Sequence, residues 1–105
     1  MKFKVGDKVK VKSLEEIKNL PYHSIRVEGE DIFGKCEDTD KFGNVITVDN
    51  SFVDSMYGYC GKEFVIEHAI EDGHYKLSDG EYSWYFIASW LELLSQHYVE
   101  TFDDE

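Results

Sequence analysis

A chain of 105 residues has the length of one domain, and its seven Tyr, seven Phe and two Trp can fill a core without disulfides or metals. Its formal net charge of −11 predicts a surface that repels nucleic acid and anionic membranes and attracts basic protein surfaces. No apolar run approaches the roughly 18 residues of a membrane span and no signal-peptide pattern opens the chain, so the expected compartment is the cytoplasm, with Cys36 and Cys60 as free thiols.

The charge is unevenly placed. Residues 1–18 hold six lysines against three acids, whereas the rest holds five basic residues against nineteen acidic ones. From Phe3 to Lys12 apolar Phe3, Val5, Val9 and Val11 alternate with Lys4, Lys8, Lys10 and Lys12. That period of two predicts a half-buried strand, with Gly6-Asp7 as the turn that starts the strand proper. Ser13 followed by Glu16 is a capping box, and Leu14, Ile17 and Leu20 share one helical face. A helix of one to two turns is expected there, ended by Pro21.

Residues 22–50 read as a long excursion carrying one strand or hairpin. Ile25-Arg26-Val27 is a short strand candidate, and Val45-Ile46-Thr47-Val48 a stronger one behind the turn Gly43-Asn44. Phe52 to Met56 reads as a helical turn. Beyond Gly61 the pattern is plain: strands over 62–70, 74–78 and 81–86, with turns at Asp72-Gly73 and Asp79-Gly80, form an antiparallel meander. Phe64 and Trp84 are the expected core residues, with Tyr82 and Phe86 on the face of Trp84 and Tyr85 on the other. Residues 87–90 read as a 3₁₀ turn and 91–94 as a last strand, with a competing helical reading on Ile87, Trp90, Leu91, Leu94, Tyr98 and Phe102. Residues 98–105 read as an acidic tail.

Three stretches carry a family resemblance: Phe3 to Val11, Met56 to Ile66, and Tyr75-Lys76-Leu77 with Tyr82-Ser83-Trp84 and Trp90-Leu91-Glu92. In this order they resemble the small, YorP-like SH3-like barrel proteins encoded by phages and prophages of Gram-positive bacteria. The resemblance implies an all-β fold with one short helix, an SH3-like small barrel over 1–97 with a loop insertion at about 22–50. It implies no catalytic residues. Residues 22–50 are long for the first loop of such a barrel, and residues 95–105 run past its last strand. Added segments are where a shared scaffold carries its particular function.

Several constellations bear on chemistry. Asp38-Thr39-Asp40-Lys41-Phe42-Gly43 opens like a calcium loop, but Phe42 fills a ligand position and Asp49 stands where Glu is needed. An acidic turn is the better reading. His68, His74 and Cys60 match no zinc spacing, and nothing around Cys60 points to an activated thiol. No metal, cofactor or catalytic residue is therefore expected. The lysine row is read as the solvated face of an edge strand rather than a nucleic-acid site. The partner-binding candidates are the acids Glu28, Glu30, Asp31, Glu37, Asp38, Asp40, Asp49 and Asp54, with Tyr85 as an exposed groove aromatic. The expected function is non-enzymatic protein binding. The chain would inhibit a host nucleic-acid-handling or defence machine, such as a nuclease or CRISPR-type complex, as an anti-CRISPR nucleic-acid mimic would, by filling a basic channel. A phage structural or regulatory adaptor, and a small-ligand or nucleic-acid binder using the lysine face from Lys4 to Lys12, are the alternatives.

Overall fold

The computed structural model describes residues 1–21, 24–25, 31–70 and 72–97. Within them the chain is mostly β. In chain order come β1 (Lys8–Val11), α1 (Leu14–Lys18), β2 (Ser24–Ile25), β3 (Ile32–Thr39) and β4 (Val45–Phe52). A 3₁₀ helix over Asp54–Tyr59 follows, then β5 (Glu63–Val65), β6 (His68–Ile70), β7 (His74–Ser78) and β8 (Ser83–Ile87). A 3₁₀ turn, Ala88–Trp90, leads into β9 (Leu91–Ser95). No helix among the described residues is long and apolar enough to cross a membrane.

The strands form three antiparallel three-stranded sheets, ordered β5-β1-β9, β2-β3-β4 and β6-β7-β8. None of these sheets closes on itself. The β6-β7-β8 meander follows the Asp-Gly and Gly turns expected of it, and Gly73 and Gly80 both take the positive φ that such turns require. The 3₁₀ turn before β9 and the strand character of β9 also stand as read, so the competing helix does not form. Helix α1 keeps its capping box: Glu16 N–H donates to the Ser13 hydroxyl at 3.1 Å, and Ser13 N–H to the Glu16 carboxylate at 3.1 Å.

Three expectations about the elements need correction. The first strand starts after the Gly6-Asp7 turn as read, at Lys8, but it is central rather than an edge, because β5 and β9 flank it. The strand read over 62–70 is two strands in different sheets, bending where Ile66 turns inward and its N–H bonds the Asp7 carbonyl at 2.9 Å. The helical turn read from Phe52 starts later, since Phe52 ends β4. Of the strand or hairpin read within the long first loop, the hairpin is what forms: two eight-residue strands paired without slip from Ile32↔Phe52 to Thr39↔Val45. Arg26 and Val27, and the tail 98–105, lie outside the described residues.

That hairpin belongs to the core. Ile32, Val48 and Phe52 are buried along with Trp90, Tyr75 and Phe86. Phe52 meets Trp90 edge-on at 5.0 Å and Phe86 at 5.8 Å. Each such fully buried side chain contributes about 2 kcal/mol relative to exposure. Two glycines let the layers approach. A Cβ on Gly34 would lie 2.7 Å from the Trp90 indole, and one on Gly73 would lie 2.6 Å from Val48. The residues expected at the centre sit at its margin instead. Phe64 and Trp84 are only half-buried against the core, and Tyr82 is 63% exposed although it precedes the inward Trp84 and Phe86. Tyr82 escapes because β8 starts after it, at Ser83.

Candidate functional site

The β3–β4 hairpin alternates as a half-buried ribbon should. Ile32, Gly34, Cys36 and Asp38 face inward, and Lys35 and Glu37 face solvent. On β4, Val45, Thr47 and Asp49 face solvent. The ladder sets Lys35 opposite Asp49 and Glu37 opposite Thr47. Of the predicted partner-binding acids, Glu37, Asp49 and Asp54 are exposed, and Asp31 is half-buried just before β3. Glu28 and Glu30 lie outside the described residues.

Asp38 and Asp40 have other employment. Asp38, read as a surface acid, is buried. Its Oδ1 accepts from the Lys2 and Thr39 amides, both at 2.7 Å, and its Oδ2 from the Tyr75 hydroxyl at 2.6 Å. The same hydroxyl accepts from the amides of Lys2 at 3.0 Å and Phe3 at 3.2 Å. Burial, together with the bond to Asp38, pushes the Tyr75 hydroxyl well above the usual tyrosine range. Asp40 closes the hairpin turn: its carboxylate accepts from the amides of Phe42 and Asn44 and from the Asn44 side chain. The Asn44 backbone bond first, and these others with it, hold the Asp40 carboxyl below its ordinary value. The turn leaves Phe42 and Val45 as the two most exposed large apolar side chains among the described residues.

Tyr85 is exposed on β8, in one cross-strand row with Lys76 and His68. Its hydroxyl lies 3.4 Å from His68 Nδ1. Asn50 Nδ2 donates to the Tyr85 carbonyl at 2.9 Å, and His74 Nε2 donates to the Asp49 carbonyl at 3.0 Å. These two bonds dock β4 beside the meander, so Glu37, Asp49 and Tyr85 lie on or beside one hairpin, while Asp38 is drawn inside.

The lysine row is opposed by acids. Lys10 pairs with Glu63 on one side and Glu92 on the other, and Lys8 Nζ lies 3.1 Å from Glu63. Opposite charges across a ladder offset one another. Burial raises the Cys60 thiol above its ordinary value, away from nucleophile chemistry. Among the described residues no three His, Cys, Asp or Glu side chains converge as metal ligands do.

Sequence reading missed a second buried acid, Asp7. It accepts from the His97 amide at 2.8 Å and the Lys4 amide at 3.0 Å, tying the end of the described chain to its start. Burial pushes its carboxyl up, but the His97 and Lys4 amides and the Lys4 ammonium together outweigh burial and leave it below its ordinary value. Two clefts flank β3. One, of about 550 Å³, is lined by Leu20, Pro21, Lys35, Cys36, Glu37, Thr47 and Ser89. The other, of about 250 Å³, includes Lys2, Glu37, Thr39 and Val45. Comparison with protein families, curated proteins and solved structures finds no match.

Proposed function

We propose that the chain is a non-enzymatic protein-binding module whose acidic hairpin face engages a basic surface on its partner. The observation that carries this reading is the contrast between two faces. Glu37 and Asp49 stand exposed on the hairpin with Asp54 beyond it, and Lys35 opposes only Asp49, whereas the lysines of β1 are opposed by Glu63 and Glu92. A net charge of −11 with no unopposed basic strand face among the described residues favours a basic protein over a nucleic acid. The proposed setting is phage or mobile-element, acting in the host cytoplasm, with a nuclease or CRISPR-type defence complex as the target. The SH3-like reading is supported by the order of elements: the first strand lies beside the last, and a 3₁₀ turn joins the β6-β7-β8 meander to that last strand.

The test is a gel-shift series with a CRISPR-type effector complex, its target DNA and this chain. The chain should abolish the DNA shift, less effectively as salt rises. Reversing Glu37 and Asp49 to Lys should slow association about tenfold without unfolding, because both side chains are exposed. If the chain itself shifts DNA at physiological salt, the lysine face is the site and the acidic reading falls. Binding without competition, unchanged by the two reversals, would favour an adaptor.

A further inference from the structure

Strand β9 lies at one edge of the β5-β1-β9 sheet. Its first residue, Leu91, is buried, but Glu92, Leu93, Leu94 and Ser95 are all exposed. A strand packed on a core should be covered on one face. Leu93 stands on the covered side, in one cross-strand row with half-buried Phe64 and fully buried Val9. It is nevertheless 38% exposed, and Leu94, at the register shift opposite Lys8 and Val9, is 40% exposed. The apolar row that begins at Phe64 therefore runs out into solvent at Leu93.

The backbone at Leu93 also faces outward. Lys12 N–H donates to the Trp90 carbonyl at 2.9 Å, so in this register Lys10 and Glu92 form the next hydrogen-bonded pair. Val9 and Leu93 between them are the non-hydrogen-bonded pair, which turns the Leu93 N–H and C=O away from β1. Among the described residues nothing bonds those two groups. The Leu91 amide, in contrast, is satisfied by the Ala88 carbonyl. Past Ser95 the chain stays with β1: the His97 amide bonds Asp7, and the His97 ring lies against Gly6. Lysine and proline, which blunt many edge strands, are missing from Leu91–Ser95. Its one charge, Glu92, stands opposite Lys10.

We infer that the outer edge of β9 is a self-association site, where a second copy of this chain adds its own β9 antiparallel about a two-fold axis at Leu93. Leu93 and the partner's Leu93 then exchange both N–H···O=C bonds, and the apolar row continues across the axis through their side chains. The register follows from charge. An axis at Glu92 would set two carboxylates face to face, whereas an axis at Leu93 sets Glu92 opposite the partner's Leu94. The net charge of −11 on each copy opposes the encounter, and salt relieves that repulsion. The bulge at Leu94 shortens the usable edge. So short a strand pair falls below the roughly 1,000 Å² of a stable interface, which makes the dimer weak, with a dissociation constant on the order of 0.1–1 mM. The site shares no residue with the acidic hairpin face, so either can fail without the other.

The test is a dilution series of the isotope-labelled full chain by NMR at low and high salt. On concentration the amides of residues 91–95 should shift together, and the Leu93 amide should become protected from exchange. Both changes should grow with salt, the reverse of what the acidic face shows toward a basic partner. A mixture of labelled and unlabelled chain should give a filtered methyl contact between the two Leu93 side chains, a readout that needs no variant. Leu93→Lys sets two ammonium groups across the axis and should abolish association, with β1–β9 contacts kept as the check on folding. Leu94→Lys, opposite the partner's Glu92, should retain it. Spectra unchanged up to millimolar chain overturn the inference. So do concentration-dependent shifts centred outside residues 91–95, and loss of association in Leu94→Lys. A Leu93 amide already protected at the lowest concentration also overturns it, because the chain's own residues would then cover the edge.

Discussion

Replacing Tyr75 by Phe removes one oxygen and leaves a ring of nearly the same shape in the same place. The ring stays packed edge-on against Phe3 at 5.3 Å, so little cavity opens. The lost hydroxyl donates to buried Asp38 at 2.6 Å, a bond to a charged acceptor worth about 1.5–3 kcal/mol. It also accepts from two amides. The Lys2 amide keeps an acceptor in Asp38 Oδ1 at 2.7 Å, but the Phe3 amide loses its hydroxyl acceptor. An unsatisfied buried donor costs about 1–3 kcal/mol, and partial relaxation of residues 1–3 offsets some of it. Tyr75→Phe should therefore cost about 3 kcal/mol. The assay is a urea titration at neutral pH, followed by fluorescence and circular dichroism to check two-state behaviour. Tyr82→Phe, at an exposed ring, is the control and should change stability by less than about 0.5 kcal/mol. A double-mutant cycle with Asp38→Asn should return a coupling above about 1 kcal/mol. A Tyr75→Phe loss below about 1 kcal/mol would mean that Asp38 and Tyr75 do not hold the N-terminal segment as described.

Gly34→Ala should cost about 1–3 kcal/mol by overpacking, since Trp90 is fully buried and cannot yield. Gly58→Ala, where an added Cβ meets nothing within 4 Å, is its neutral control in the same denaturant series. Asp7 has a folded pKa below its unfolded value of about 3.8, so its contribution is fully present above that value and is lost as pH falls through the folded pKa. Asp7→Asn should accordingly lower the urea midpoint at pH 7 and lose that effect as the pH falls below the folded pKa of Asp7. Phe64→Ala, at a half-buried ring stacked 4.8 Å from Tyr59, should cost about 2 kcal/mol, below the 3–5 typical of a fully buried Phe, as read from a denaturant melt.

Local chemistry made the outer parts of the fold legible. The capping box of α1 needs only Ser13 and Glu16, and the turns at Gly73 and Gly80 need only a residue free to adopt positive φ. The hairpin was harder to read because its inner face is not apolar throughout. Asp38 sits where a core residue is expected, and the Lys2 amide and Tyr75 hydroxyl that satisfy it lie 36 and 37 positions away. No window along the chain contains that information. The break between β5 and β6 was equally hidden, because no Gly or Pro marks it. For the candidate site, the exposure of Glu37 and Asp49 follows the strand period, yet the same count of acids gave no means of separating Asp38 from them.

The position of β1 bears on how the chain folds. Lys8 pairs with Val65 on one side and with Ser95 on the other. Both closures span long loops whose entropy must be met before either ladder returns stabilisation. The β3–β4 hairpin and the β6-β7-β8 meander, each built from neighbouring segments, carry no such delay. During synthesis the first strand leaves the ribosome long before its second partner, and one of its edges must wait unpaired until residues 91–95 emerge. Its four residues alternate lysine with valine, and the lysines keep that waiting strand from pairing with other chains.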